Sequence, residues 1–162
     1  MQPVLILELL TLLAVSNGTP VVAKRLLGSK LARPLDGGTM FRDGRPWFGT
    51  SKTVRGIILA VLATTGAASL LGLGWKTGAL VGAMAMVGDL IASFVKRRLG
   101  LDSSSQAIGL DQIPESLFPL LASRLLMPIT ALDIATATVL FFVGELVLSR
   151  LLLKWHLRDR PY

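Results

Sequence analysis

The sequence predicts an all-α membrane protein in which five transmembrane helices carry two cytoplasmic loops that form a polar site. Composition is the first reason. Of 162 residues, 52% are hydrophobic before 16 glycines are counted, and mean hydropathy is +0.63. Ordinary soluble domains reach roughly 45–50% apolar with glycine included. Spacing is the second reason: apolar runs near the roughly 20 residues that cross a bilayer alternate with polar stretches. Sign is the third. The net charge is +7, and the lysines and arginines gather in alternate connections, which is the positive-inside pattern rather than a nucleic-acid footprint. The absence of cysteine excludes disulfides and thiolate metal sites, and the single histidine, His156, argues against a His-based zinc site. The chain is one domain long, residues 1–162.

The first helix is expected over residues 4–23. It lacks a basic leader and a small-residue cleavage site, so it reads as a retained span, with Asn17-Gly18-Thr19-Pro20 distorting its last turns. Asn17 is either an interhelical hydrogen-bonding group or a residue near the cytoplasmic surface. Residues 24–53 form a long basic loop punctuated by Pro34-Leu35-Asp36-Gly37-Gly38 and Arg42-Asp43-Gly44-Arg45-Pro46. Phe41, Trp47 and Phe48 argue for packing rather than disorder. Gly49 to Gly56 places Lys52 and hydroxyls just before a helix, where free N–H groups favour phosphate. The stretch lacks Walker spacing, and alone it reads as a solvated basic cap.

The second helix is expected over 54–72, with Gly56, Ala60, Ala63 and Ala67 as a small-residue face. The third, over 77–96, places Gly78, Gly82, Ala85, Asp89, Ser93 and Lys96 on one stripe. The lower part of that stripe admits a close neighbour, and packing against the second helix's small face is the natural solution. Asp89 in the apolar run is a functional-site candidate because an ionisable group inside a membrane seldom faces lipid. The run ends in Lys96-Arg97-Arg98, and a second cytoplasmic loop covers 97–113. Asp111 alone reads as a helix N-terminal acid. Taken with Asp89 and the cations, it suggests a divalent metal with phosphate. The fourth and fifth helices are expected over 114–128 and 133–154, with structural roles for Arg124 and Glu145. An odd number of spans puts the N-terminus outside and both basic loops inside.

Several motifs occur in order: Asn17-x-x-Pro20, Pro34-Leu35-Asp36-x-Gly38, Asp43-Gly44-Arg45, Gly49-x-x-Lys52-Thr53-x-Arg55-Gly56, Gly88-Asp89-Leu90-x-x-Ser93-Phe94-x-Lys96-Arg97-Arg98 and Leu110-Asp111-Gln112. This series resembles the CDP-archaeol synthase family of small membrane cytidylyltransferases. The resemblance implies transfer of CMP from CTP to a membrane lipid phosphate, an isoprenoid ether lipid phosphate or one like phosphatidic acid, with Mg²⁺ as cofactor and pyrophosphate as product. It makes Asp89 and Asp111 metal ligands and, with Lys96, the catalytic set. It makes Asn17, Asp36, Lys52, Thr53, Arg55, Ser93, Arg97 and Arg98 substrate-binding residues. The stretch Asp102 to Gln106 replaces a Pro-Gly found in many archaeal members, and the ending His156 to Tyr162 is similar to bacterial relatives. The expected partners are CTP and the lipid in the cell's inner membrane, with no nucleic acid; homo-oligomerisation stays open. Two other classes compete on composition alone. A non-catalytic scaffold for anionic lipid accounts for the cations, and a small transporter accounts for Asp89, Arg124 and Glu145.

Overall fold

The computed structural model describes residues 1–105 and 107–154, with side-chain surroundings through residue 150; the ending His156 to Tyr162 lies outside them. Five helices occur among the described residues: α1 (Pro3–Leu27), α2 (Val54–Leu70), α3 (Trp75–Arg98), α4 (Gln112–Ser123) and α5 (Ala131–Lys154). The all-α expectation holds. By length and apolar composition α1, α3 and α5 are able to cross a membrane, and α2 is a shorter apolar helix of 17 residues.

Two boundaries differ from the sequence reading for identifiable reasons. α1 continues through Pro20 to Leu27. The proline removes one backbone N–H, and the turns beyond it still propagate. α4 begins early and ends early, with 12 residues. Pro114 sits in its first turn, where no N–H bond is needed. At about 1.5 Å per residue α4 rises about 18 Å, against roughly 30 Å of hydrocarbon. The turn Arg124 to Met127 then leads to Pro128.

Lipid tails are as apolar as leucine, so close packing rather than the hydrophobic effect holds such helices together. The glycines of α3 provide it. A Cβ on Gly78 would lie 2.5 Å from the Thr64 carbonyl oxygen, and one on Gly82 would lie 3.0 Å from Val61 Cα. The α2 face is Gly56, Ala60, Thr64 and Ala68, all buried. It therefore follows a strict four-residue step, in place of the expected Ala63 and Ala67. Thr64 is admitted because its hydroxyl donates to the Ala60 carbonyl at 2.7 Å. A core of Leu9, Leu12, Leu13, Val81, Leu120, Ile134 and Phe141 joins α1, α3, α4 and α5.

At the end away from the long loops, Thr130 and Asp133 cap α5 reciprocally. The Thr130 hydroxyl donates to Asp133 at 2.6 Å, and the Asp133 N–H donates back to it at 3.2 Å. Gln2 ties the start of α1 to the same turn through its N–H to Asp133 (2.9 Å) and its amide to the Pro128 carbonyl (2.7 Å).

Candidate functional site

Residues 28–53 meet residues 99–105 and 107–111 at one end of the bundle. The first loop is ordered by its own chemistry. Arg33 and Lys52 carbonyls accept from Val54 and Leu35 N–H groups, and the Phe41 N–H donates to the Arg45 carbonyl at 2.7 Å, closing a tight hairpin. The Asp36 carboxylate accepts from Phe48 and Gly49 at 3.0 Å each and from Gly38 at 3.1 Å. Burial pushes its carboxyl pKa up, but these backbone donors outweigh burial and hold it below the ordinary value. Phe41 stacks edge-on against Trp47 and Phe94, at centroid distances of 4.9 and 5.5 Å. The aromatics are packed, as the sequence implied.

This staple delivers Lys52 to α3. Its ammonium is ion-paired with Asp89, and both side chains are about one-fifth exposed, at 21% and 17%. Two turns nearer the loops, Lys96 Nζ lies 2.6 Å from Asp111 Oδ1, an ion pair whose approach angle falls short of a hydrogen bond. Lys96 also donates to the Ser105 carbonyl at 2.9 Å, and Asp111 accepts from the Ala107 N–H at 2.8 Å. Ser93 lies buried between the two levels. Each expected carboxylate therefore stands on its own lysine, one level apart along the α3–α4 seam.

The seam is set by Gly88. A Cβ there would lie 2.2 Å from the Pro114 carbonyl oxygen and 2.9 Å from the Glu115 N–H nitrogen, so the two backbones touch. That contact brings a residue the sequence reading passed over to Asp89. Glu115 is 7% exposed and feels the charges of Asp89, Glu145 and Lys52. The available signal was its spacing: Asp111 and Glu115 are four residues apart, hence on one helix face.

The remaining expected residues hold the loops together. Thr53 caps α2, its hydroxyl accepting from the Gly56 N–H at 3.1 Å. Arg55 donates to the Gly28 and Lys30 carbonyls just past α1. Arg97 donates to the Asp102 carbonyl at 2.6 Å. Arg98 binds Asp43 (2.7 Å) and the Pro46 carbonyl (2.6 Å) and lies over Phe41 and Phe94. The Asn17 amide nitrogen is buried without a partner. Arg124 is exposed at the far end of α4.

Among the described residues no three acidic or histidine side chains gather tightly enough to hold a metal ion by themselves. The donors present are hard carboxylate oxygens, which suit Mg²⁺. That ion commonly takes one or two carboxylates and completes its shell with water and substrate phosphate. Partly exposed Asp89, with Asp111 one level away, fits that habit.

Comparison with known proteins shows the family to which the chain is similar. The family model described as "CarS-like: CDP-archaeol synthase" matches residues 69–162. A CDP-archaeol synthase of Thermococcus onnurineus is 36% identical over 143 residues, covering 82% of this chain and 79% of that one. One from Pyrobaculum calidifontis is 35% identical over 153 residues, 91% of each chain. One from Methanopyrus kandleri is 35% identical over 130 residues, and the match spans 60% of that longer protein. A solved structure described as "Structural insight into an intramembrane enzyme for archaeal membrane lipids biosynthesis" superimposes with a TM-score of 0.68 at 29% identity, covering 84% of this chain and 89% of that one.

Proposed function

The chain belongs to the CDP-archaeol synthase family, and on that premise we propose that it transfers CMP from CTP to a membrane lipid phosphate, giving a CDP-lipid and pyrophosphate. The observation that carries the reading is the pair of ion pairs, Lys52–Asp89 and Lys96–Asp111, stacked where the two long loops close over an apolar bundle. Partly buried charges are costly to keep in such a place, and polyphosphate chemistry is a use for them.

A lipid phosphate is already an anion and needs no base to make it a nucleophile. Its obstacle is repulsion from the CTP phosphates. Mg²⁺, when bound at the Asp89 carboxylate with Asp111 one level away, supplies charge neutralisation for the phosphoryl oxygens. Lys52 and Lys96 supply the same at two heights along the seam. The lipid phosphate oxygen attacks the α-phosphorus, the bond from that phosphorus to the bridging oxygen breaks, and pyrophosphate leaves with the electron pair. Arg55, Arg97 and Arg98, bound to backbone carbonyls, keep the loops in register for this. The positive-inside charge pattern supports an orientation with both loops in the cytoplasm and the N-terminus outside, in an inner membrane.

The test is incubation of purified protein with α-labelled CTP, Mg²⁺ and a panel of ether-lipid phosphates and phosphatidic acids. Label extracted with one lipid class identifies the acceptor. Saturable lipid binding without label transfer would favour a scaffold, and flux in liposomes without pyrophosphate would favour a transporter.

A further inference from the structure

The helices α1 and α2 touch where a Cβ on Gly56 would lie 3.4 Å from the Pro20 side chain. Beside that contact they leave an apolar groove of about 320 Å³, lined by Thr19, Ala23, Leu26 and Leu27 of α1 and by Leu59 and Ala63 of α2. Its volume is within the range of ligand sites, about 300–1,000 Å³. Thr19 brings no free donor to it, because its hydroxyl already bonds the Val15 carbonyl at 2.6 Å. The α1 wall from Thr19 to Leu27 rises about 12 Å, short of half the roughly 30 Å of hydrocarbon. A crossing helix would overrun it, whereas one chain of a lipid in the nearer leaflet fits.

The head of the groove is charged. Arg55 stands one turn before Leu59 on α2 and donates to the Gly28 carbonyl, next to Leu27. It therefore closes the loop end of the groove from both helices. Arg55 is 9% exposed, and its Nε–H is buried without a partner. Leaving a buried guanidinium donor unpaired is costly, and an anion relieves it. Lys52, the partner of Asp89, is three residues earlier, no more than about 11 Å along the backbone. One turn of chain thus joins the groove to the reacting seam. We propose that the α1–α2 groove receives one hydrocarbon chain of the lipid phosphate acceptor, with Arg55 at its head meeting the phosphate. The inference rests on the cytidylyltransferase reading and adds to it the place of the acceptor's tail. A phosphate monoester offers this donor more negative charge than the diester of a bulk lipid headgroup, which favours the acceptor over its bilayer neighbours.

The experiment is photolabelling in phosphatidylcholine nanodiscs without nucleotide, joined to steady-state kinetics. The probes are phosphatidic acid and a diether lipid phosphate, each with a diazirine in one chain, and phosphatidylcholine carrying the same group. Mass spectrometry should find monoester label in peptides covering residues 19–27 and 59–63, competed by unlabelled monoester, with the phosphatidylcholine probe labelling them far less. Ala63→Phe fills the groove. It should lower monoester labelling and raise the lipid KM about 10-fold, while the KM for CTP stays within about twofold. Ala63→Leu gives a smaller effect of the same sign and keeps the test decisive where Ala63→Phe melts early. Val139→Phe, on the exposed face of α5, leaves labelling and both KM values unchanged. Equal labelling by phosphatidylcholine assigns the groove to bulk lipid and overturns the proposal, as does a dimer in detergent that Ala63→Phe dissociates. Unchanged labelling and lipid KM in both Ala63 variants overturn it and leave the cytidylyltransferase reading intact. Groove labelling with no transfer of label from CTP to any acceptor overturns that reading, and the acceptor assignment with it.

Discussion

Replacing Gly88 with alanine tests the geometry on which the site depends. The added Cβ would stand 2.2 Å from the Pro114 carbonyl oxygen. Carbon–oxygen contacts ordinarily stop near 3.3 Å, so α3 and α4 must separate by about 1 Å. The obstructing atom is backbone, and no rotamer change relieves it. Overpacking of this kind costs about 1–3 kcal/mol. Alanine returns about 1 kcal/mol through helix propensity, which leaves a net loss of up to about 2 kcal/mol. The effect on turnover is larger, because a 1 Å misplacement of reacting groups costs about 100-fold. Gly144 is the control, since a Cβ there meets nothing within 4 Å. The assay pairs thermal denaturation in detergent with label transfer from CTP to lipid. Gly88→Ala should melt earlier and lose about two orders of magnitude in kcat, while Gly144→Ala matches or exceeds wild-type stability. Wild-type turnover in Gly88→Ala would refute the claim that the α3–α4 crossing sets the reacting geometry.

Other outcomes follow from the same contacts. Lys52→Met strands the Asp89 carboxylate, and at a partly exposed pair this should cost about 2 kcal/mol in a chelator-containing melt, less than a fully buried pair would. Asp36→Asn removes the charged acceptor of three loop N–H groups and should cost about 1 kcal/mol after solvent screening, with faster amide exchange at Phe48 and Gly49. The Asp36 pKa is lowered by folding from its ordinary value of 3.8. Its stabilising contribution is therefore complete above about pH 4 and lost as pH falls through the folded value, and Asp36→Asn should abolish that part of the acid transition. Arg98→Lys keeps the charge but loses the planar fork over Phe41 and Phe94, so the 41–48 hairpin should become open to limited proteolysis.

Much of this was legible in the residues. Apolar runs located the helices, and the Gly78–Gly82–Ala85 stripe announced a close α2 neighbour. What spacing could not determine was which α2 face would meet it: Thr64 looks polar until its hydroxyl is seen to bond its own helix. Asp89 stood out because an acid interrupts an apolar run. Glu115 did not, because Pro114 read as a loop boundary and concealed that Asp111 and Glu115 share one helix face. The basic residues were visible as charge. Their division into Lys52 and Lys96 on the site carboxylates and Arg55, Arg97 and Arg98 on loop carbonyls, with Arg98 also on Asp43, depends on how residues 28–53 fold back over α3, a long-range arrangement that local pattern does not encode.

The most direct measurement follows two labels at once. CTP carrying label on the α-phosphate, and separately on the γ-phosphate, is offered to wild type and to Asp89→Asn with the accepted lipid phosphate. The account predicts α-label in the lipid extract and γ-label in pyrophosphate for wild type, in equal amounts, and neither for Asp89→Asn in folded protein. Equal transfer by Asp89→Asn, or γ-label appearing in the lipid, would contradict it.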